Sequence, residues 1–438
     1  MKKYLLNSII MAIDLLFLIL LFFLASYIRI GFNQYEVPLF EKFEFNDFSF
    51  VIFIIFALMS YEKIYTLRYD FWQETLKVIK SLVLSYFIVL ALLMLTKNSL
   101  EYSRFFITLY FILAVFLMPV IKRASKRLIY QFSFFKKKVL VVGDDSQVRI
   151  LQNEIMNNWY LGMEYANYKY DTVIITSQGM SIEKVNKKIE KYLNTKSSVY
   201  IVPYVTDINF AHSNIMEYSN IRLNTIQIEN KLLIKHNMML KSLFELIAII
   251  AIIPLFLLVH IVIAILIKID SQGPIFFKQE RVGRSGKSFV CYKYRTMYKD
   301  SNVLLEEYLQ KNPQEIEYYA EYHKYQNDPR VTKIGHILRR TSLDEVAQLI
   351  NVFKRDMSLV GPRPYMLNEL SKLGESQGFI LKVKPGITGL WQVSGRNNLT
   401  FKERNDLEVW YIKNWSLWSD FVILIKTIKV VFFKVGAR

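Results

Sequence analysis

The chain has 438 residues, 53% of them hydrophobic, yet it carries a formal net charge of +18. That length allows two or three domains, and the mixture describes a membrane protein with basic faces against an anionic leaflet. Nucleic acid is set aside as a partner, because the basic residues flank apolar runs and follow no nucleic-acid motif. A single cysteine, Cys291, excludes an intrachain disulfide and a cysteine-based zinc site, and five scattered histidines show no metal-ligand spacing.

Four apolar runs occupy the first quarter: Tyr4–Ile28, Phe48–Tyr61, Ser81–Thr96 and Phe105–Ile121. A spanning helix needs ~20 apolar residues, so the second and third are short. Lys2-Lys3 followed by so long a run is an anchor, not a cleaved signal. The loop Arg29–Asp47 holds Glu36, Glu41, Glu44 and Asp47 against Arg29 and Lys42. The next loop holds Lys63, Arg68, Lys77 and Lys80, and Lys122, Arg123, Lys126, Arg127 and Lys136 to Lys138 follow the fourth run. The positive-inside rule then puts both ends of a four-helix bundle in the cytoplasm. Asp14 lies inside the first run, where an acid is expected to find an interhelical hydrogen bond or stay protonated.

Alternating strands and helices follow. Lys138 to Gly143, Thr172–Thr176 and Val199–Pro203 read as strands, and Ser146–Asn157 and Ile182–Leu193 as helices. That order predicts a small doubly wound sheet. Gly143 is followed by Asp144-Asp145-Ser146, two acids where a dinucleotide fingerprint has glycines, so a structural, regulatory or dimerising role is preferred to nucleotide binding.

A fifth apolar run, Leu246–Ile267, contains Pro254 and has basic residues on both sides. Proline inside a helix removes a backbone bond and kinks it, and both flanks belong in the cytoplasm. A helix that enters and leaves on one face satisfies both, provided its freed backbone groups find partners.

Beyond it, Ser288–Tyr294 alternates as a strand, which sends Lys293 and Arg295 to one face as cations able to hold a diphosphate. Ser342-Leu343-Asp344-Glu345 has the spacing of a capping box, with Ser342 as N-cap and Glu345 three residues later. On spacing alone the cap is the preferred reading, and it is compatible with a site. A helix N-terminus would keep Asp344 ionised and draw a phosphate toward it. An ionised carboxylate can attack phosphorus to give an acyl phosphate, and its neighbour can hold Mg²⁺ on the diphosphate. Trp391, Trp410, Trp415 and Trp418 gather near the end, either at the membrane interface or in a domain core. A helix through Leu424, Ile428 and Val431, with Lys426 and Lys429, could lie in the headgroup plane.

The stretch Leu338 to Glu345, with Asp356 to Pro364 and Lys384 to Arg396, resembles the bacterial sugar transferases that move a hexose-1-phosphate from a nucleotide sugar onto a polyprenyl phosphate, the monotopic phosphoglycosyl transferases. The resemblance covers roughly Leu240 to Ala437. It implies an α/β membrane protein of three parts: a four-helix transmembrane region (1–130), a degenerate Rossmann-like domain (136–230) and a catalytic domain (240–438) with a re-entrant helix (246–267) broken at Pro254. It implies Asp344 as nucleophile, Glu345 as its partner at Mg²⁺, and Arg363 and Lys293 on phosphate oxygens, with Arg396 touching substrate. It also implies a UDP-sugar donor, an undecaprenyl phosphate acceptor, a homodimer, and an inner-membrane enzyme with its catalytic domain on the cytoplasmic face. The product would start a capsule, exopolysaccharide or O-antigen. The insertion Ser301–Lys324 and the ending Leu424 to Val431 look more like galactose-type than glucose-type members; transfer of glucose-1-phosphate or an N-acetylated sugar-1-phosphate, or a non-catalytic scaffold, are the alternatives. Three positions depart from the pattern: Arg355 stands where the family has glycine, Glu245 where it has aspartate, and the chain ends Gly436-Ala437-Arg438 instead of on an aromatic.

Overall fold

A computed structural model describes residues 2–32, 45–95, 103–143, 145–195, 199–203, 214–218, 223–227, 231–299, 301–316, 325, 328–395 and 399–433. Most of the acidic loop, Asp144, residues 317–324, Arg396 and Gly436-Ala437-Arg438 lie outside the described residues. The chain forms two compact units, Met1–Val205 and Thr206–Arg438.

The first unit opens with four helices, α1 (Lys2–Gly31), α2 (Phe45–Tyr61), α3 (Phe71–Leu95) and α4 (Arg104–Ile129). Of these, α1, α3 and α4 are long and apolar enough to cross a membrane, while α2 is shorter. Phe22, Phe48, Phe106 and Tyr110 fill the bundle core, largely edge to face. Two helices run further than the hydropathy suggests. Asp70 accepts hydrogen bonds from the Trp72 and Gln73 amides, at 2.7 and 3.0 Å, and so starts α3 early. Lys77 and Lys80 are therefore on a helix, not in a loop, and both pair with Glu62. Helix α4 likewise continues through Lys122 and Lys126, which turn inward.

Those two lysines meet the bundle's acids. Lys122 Nζ lies 2.6 Å from Asp14 Oδ2 and 3.7 Å from Glu74, and Lys126 pairs with Glu74. All four side chains are almost wholly buried. Asp14 thus finds the interhelical partner expected of it.

The rest of this unit is a four-stranded parallel sheet in the order β2-β1-β3-β4, built from β1 (Lys137–Val142), β2 (Met163–Tyr165), β3 (Thr172–Thr176) and β4 (Val199–Val202). Helices α5 (Asp145–Asn157) and α6 (Ile182–Leu193) connect its strands. Strand β2 is too short for its alternation to be visible in the sequence.

The second unit begins with a hairpin, β5 (Asn214–Tyr218) and β6 (Leu223–Gln227), and then α7, one helix from Lys235 to Asp270 that carries Pro254 inside it. Among the described residues it is the fourth helix long and apolar enough to cross a membrane. The rest of the second unit follows as its core: a second hairpin of β7 (Phe276–Val282) and β8 (Ser288–Tyr294), helices α8 (Ser301–Lys311), α9 (Lys333–Thr341) and α10 (Leu349–Phe353), a parallel pair β9 (Ser358–Val360) and β10 (Gly386–Thr388), and helices α11 (Phe401–Lys413) and α12 (Leu417–Phe433). Both halves of α7 pack on this core. Ile249 joins Val352, Leu359 and Ile412, while Ile263 and Ile267 join Tyr294 and Leu338. Trp391 and Trp415 are core residues, whereas Phe421, Ile425 and Ile428 leave an apolar face of α12 exposed.

Arg355 sits at φ 65°, a conformation in which glycine is the easy residue. The backbone at Arg355 carries a strain that glycine would avoid.

Removing one partner of a buried ion pair strands the other. Lys122→Met is expected to destabilise the protein by about 3–5 kcal/mol, read as a lower thermal midpoint in detergent, with partial recovery in Asp14→Asn/Lys122→Met. An unchanged midpoint in the single variant would show that the pair contributes nothing.

Candidate active site

The site is built on one face of the β7–β8 hairpin, the face that also carries the buried Cys291. Directly opposed residues share a face. The register pairs Phe277 with Lys293, Gln279 with Cys291 and Arg281 with Phe289. Lys293 and Arg281 therefore stand on one face, four residues of strand apart, or about 13 Å. Asn351 fastens α10 to this hairpin: its Oδ1 accepts from the Tyr292 amide at 3.0 Å and its Nδ2 donates to Val290 O at 2.6 Å. The segment just before α10 is thereby held against β8.

That segment carries the acids. Helix α9 ends at Thr341, Ser342 takes a left-handed conformation at φ 57°, and a 3₁₀ turn runs from Leu343 to Gln348 straight into α10. The expected capping box does not form, because Ser342 is in the wrong conformation to cap with its side chain. Glu345 pairs instead with Lys293, Oε1 to Nζ at 2.7 Å. Burial and the neighbouring Glu345 charge push Asp344 up to about 6, against the pull of Lys293 and Arg339. Asp344 thus stays charged at neutral pH but titrates high, because burial first and the adjacent carboxylate second outweigh the start of the turn and the two cations.

The second wall is the Gly361-Pro362-Arg363-Pro364 turn. Gly361 and Gly386 touch backbone to backbone, and a Cβ on Gly386 would fall 2.1 Å from Gly361 N. Only glycine allows the bonds Gly361 N to Thr388 O (2.9 Å) and Gly386 N to Pro362 O (2.8 Å). The Lys384 to Gly389 stretch is the brace of this turn. Arg363 donates its amide to Glu408 at 2.6 Å and a guanidinium N–H to Glu369 at 3.1 Å. Arg281, nearly buried, bonds Pro364 O at 3.1 Å and lies 3.6 Å from the same Glu369. Val282 N to Tyr365 O, at 2.8 Å, joins hairpin and turn.

Lys293, Asp344 and Glu345 are therefore brought together, and Arg363 stands on a turn bonded to the same hairpin. Arg295 is engaged elsewhere. Strand β8 ends at Tyr294, so the alternation stops, and the Arg295 guanidinium donates to the carbonyls of Ser271, Gln272 and Pro274 at 2.7–2.8 Å. It closes the C-terminal end of α7, where a cation suits the helix dipole. Pro254 lies on α7, and Arg396 is outside the described residues. Sequence reasoning missed Arg281, Glu369, Arg339 and Glu408. Glu408 is buried on α11, and burial raises it to about 7. It accepts from the Tyr365 hydroxyl at 2.6 Å as well as from Arg363. Its only signal was an acid among apolar neighbours on a helix.

For a cation, the described residues offer no group of three or more His, Cys, Asp or Glu side chains. Adjacent carboxylates suit a hard ion that takes its remaining ligands from phosphate and water, as Mg²⁺ does. Glu345 fits that donor set through the oxygen that Lys293 leaves free.

A fold with apolar helices and an acid pair facing fixed cations is that of a membrane-associated transferase. The family model for bacterial sugar transferases matches residues 236–434. A sugar transferase of Haemophilus influenzae, itself uncharacterized, is 30% identical over 95% of this chain and 94% of its own length. The undecaprenyl-phosphate galactose phosphotransferase of Salmonella typhimurium is 32% identical over 85% of this chain and 84% of its own. The UDP-galactose-lipid carrier transferase of Erwinia amylovora is 31% identical with the same coverage. The chain belongs to the bacterial sugar transferase family and is a membrane enzyme of that class.

Asp344 stores a cost of folding. A carboxylate raised from 3.8 to about 6 leaves the native state binding more protons across that window, so stability falls as pH rises through it. Asp344→Asn removes the charge. Its thermal midpoint is expected to exceed the wild type's at pH 8 and to match it near pH 4; a lower midpoint at pH 8 would contradict the strain.

Proposed function

We propose that this enzyme transfers a sugar-1-phosphate, galactose-1-phosphate in particular, from a UDP-sugar to undecaprenyl phosphate, with release of UMP. The observation that carries it is the Asp344 carboxylate, raised to about 6 beside the Glu345–Lys293 pair. Such a group is ionised at neutral pH yet more basic than an ordinary carboxylate, which suits a nucleophile. The galactose assignment draws on the names of two relatives, which cover most of this chain.

In the first step a carboxylate oxygen of Asp344 bonds to the sugar-bearing phosphorus. The bond from that phosphorus to the bridging oxygen breaks, and UMP leaves with the electron pair. In the second step a phosphate oxygen of the lipid acceptor attacks the same phosphorus and frees Asp344. Lys293 and Arg339 steady the developing charge near Asp344, and Arg363 receives the phosphates from the other wall. Mg²⁺, when bound, would neutralise the diphosphate, and Glu345 would hold it. The product would be the first lipid-linked sugar of a capsule, exopolysaccharide or O-antigen.

Helix α7 enters and leaves the membrane on one face in this reading, with the catalytic unit on the cytoplasmic side of the inner membrane. Two observations support it. Lys241 near its start bonds Asp420 of the catalytic core at 2.6 Å, and Asp270 at its end accepts from the Ile334 amide of the same core at 3.0 Å. A straight helix of 36 residues is ~54 Å long and would carry one end across the bilayer. The small parallel sheet of the first unit is read as a degenerate Rossmann-like domain with a structural or regulatory role.

The test is UMP release from a panel of UDP-sugars, with undecaprenyl phosphate and Mg²⁺, by wild type and Asp344→Ala. Lipid-dependent release that prefers one sugar and falls by at least about a thousandfold in the variant is expected. No release with any sugar would favour a scaffold; equal release by the variant would remove the covalent step. The pH profile of kcat/KM should rise to a plateau with a midpoint about 6, since only ionised Asp344 attacks. Lys293→Met removes a charge that favours ionisation, so its midpoint should move to higher pH.

A further inference from the structure

Between α7 and α10 lies a groove of about 210 Å³, lined by Ile253, Phe256 and Leu257 on one side and Leu349, Ile350 and Phe353 on the other. Every lining side chain is apolar. For scale, a cavity of ~150 Å³ holds a benzene ring. The groove is open, and Leu257 and Phe353 are 51% and 67% exposed. Neither water nor a sugar nucleotide has reason to enter it, because it offers nothing to hydrogen-bond.

Its position narrows the occupant. The 3₁₀ turn that carries Asp344 continues without a break into α10, so one wall of the groove is the direct extension of the dyad. The other wall is the proline-bearing middle of α7, the part of this unit that lies in the bilayer on the reading above. A molecule here has its apolar body in the membrane and its head toward the turn that carries Asp344, five residues before Leu349. Of the two substrates, only the acceptor has that shape.

We propose that this groove seats the phosphate-proximal isoprene units of the lipid acceptor and so aims its phosphate at the phosphorus on Asp344. The inference rests on the acceptor assignment made above. It adds where the chain is read, and it makes recognition of the acceptor separable from chemistry on the donor. Ordinary bilayer acyl chains are the competing occupant.

The experiment uses the full chain in mixed micelles and two readouts. One is the burst of UMP from a UDP-sugar without acceptor, which reports the donor half alone. The other is kcat/KM with undecaprenyl phosphate or with ethyl phosphate, which carries no isoprene unit to enter the groove. Phe353→Ala and Leu257→Ala trim exposed side chains, and Ile253→Trp fills the groove. Each is expected to keep the burst and to lower kcat/KM for undecaprenyl phosphate about tenfold, the usual scale for apolar pocket contacts, with no more than about a twofold change for ethyl phosphate. Equal losses with both acceptors, or no loss with either, would overturn the proposal and leave the groove to bulk lipid. A wild type that gives neither burst nor turnover would bring down the phosphotransfer reading itself, and this inference with it.

Discussion

The second unit depends on one buried cluster of charges. Lys241 of α7 donates to Asp420 of α12 at 2.6 Å and to Val360 O at 3.0 Å, and lies 3.0 Å from Glu245 one turn along its own helix. Two carboxylates against one ammonium would be costly if nothing else reached them. Here the balance is made by neutral donors. Tyr411 and Trp415 donate to Asp420 at 2.6 and 3.0 Å, and Ser358 and the Leu359 amide donate to Glu245. Burial among these acids pushes the Tyr411 hydroxyl well above its ordinary range, so it stays a donor. An aspartate in its place would be one methylene shorter than Glu245. The longer chain matters because its target is across an element boundary, on β9.

From that cluster the constraint passes to the site. Ser358, Leu359 and Val360 are β9, and β9 leads directly into the Gly361-Pro362-Arg363 turn. Pinning β9 to α7 sets where Arg363 stands, and Glu408 sets how its backbone points. Lys293 and the dyad are set separately, through Asn351 and the hairpin. Two independent supports thus meet across one face of β7 and β8. A transfer reaction needs this, because the donor's phosphates must be held from one wall while a nucleophile approaches from the other.

Much of this was legible in the sequence for a simple reason: chemistry that tolerates few substitutes leaves dense motifs. Arg363 could be singled out because it lies in a Gly-Pro-Arg-Pro turn, and Asp344, Glu345 and Lys293 because their runs of charge match the motifs of the family the chain resembles. The α/β strands were legible because short buried runs between turn residues admit few other readings. What escaped depends on partners far along the chain. Arg295 reads like Lys293 by alternation, and only the end of β8 separates them. Glu408 reads as a surface acid until α11 is packed. Lys77, Lys80, Lys122 and Lys126 read as loop charges because hydropathy drops where they begin, although their helices continue. Hydropathy reports where apolar residues stop, whereas a helix stops where its backbone bonds run out.

The state of Asp344 follows from the same long-range packing. A helix terminus lowers it, and the 3₁₀ turn from Leu343 provides one, entered from a left-handed Ser342 without a side-chain cap. Burial, and after it the adjacent carboxylate that Lys293 takes, outweigh that lowering. The result is an acid whose charge is favoured by cations on one side and opposed by its neighbour on the other. A diphosphate arriving with its own negative charge would push Asp344 higher still, unless a divalent cation came with it. A divalent cation bound here would therefore serve the ionisation of Asp344 as much as the leaving group. An adjacent carboxylate such as Glu345 meets both demands at once, because the ion it would hold cancels the repulsion that Glu345 itself creates.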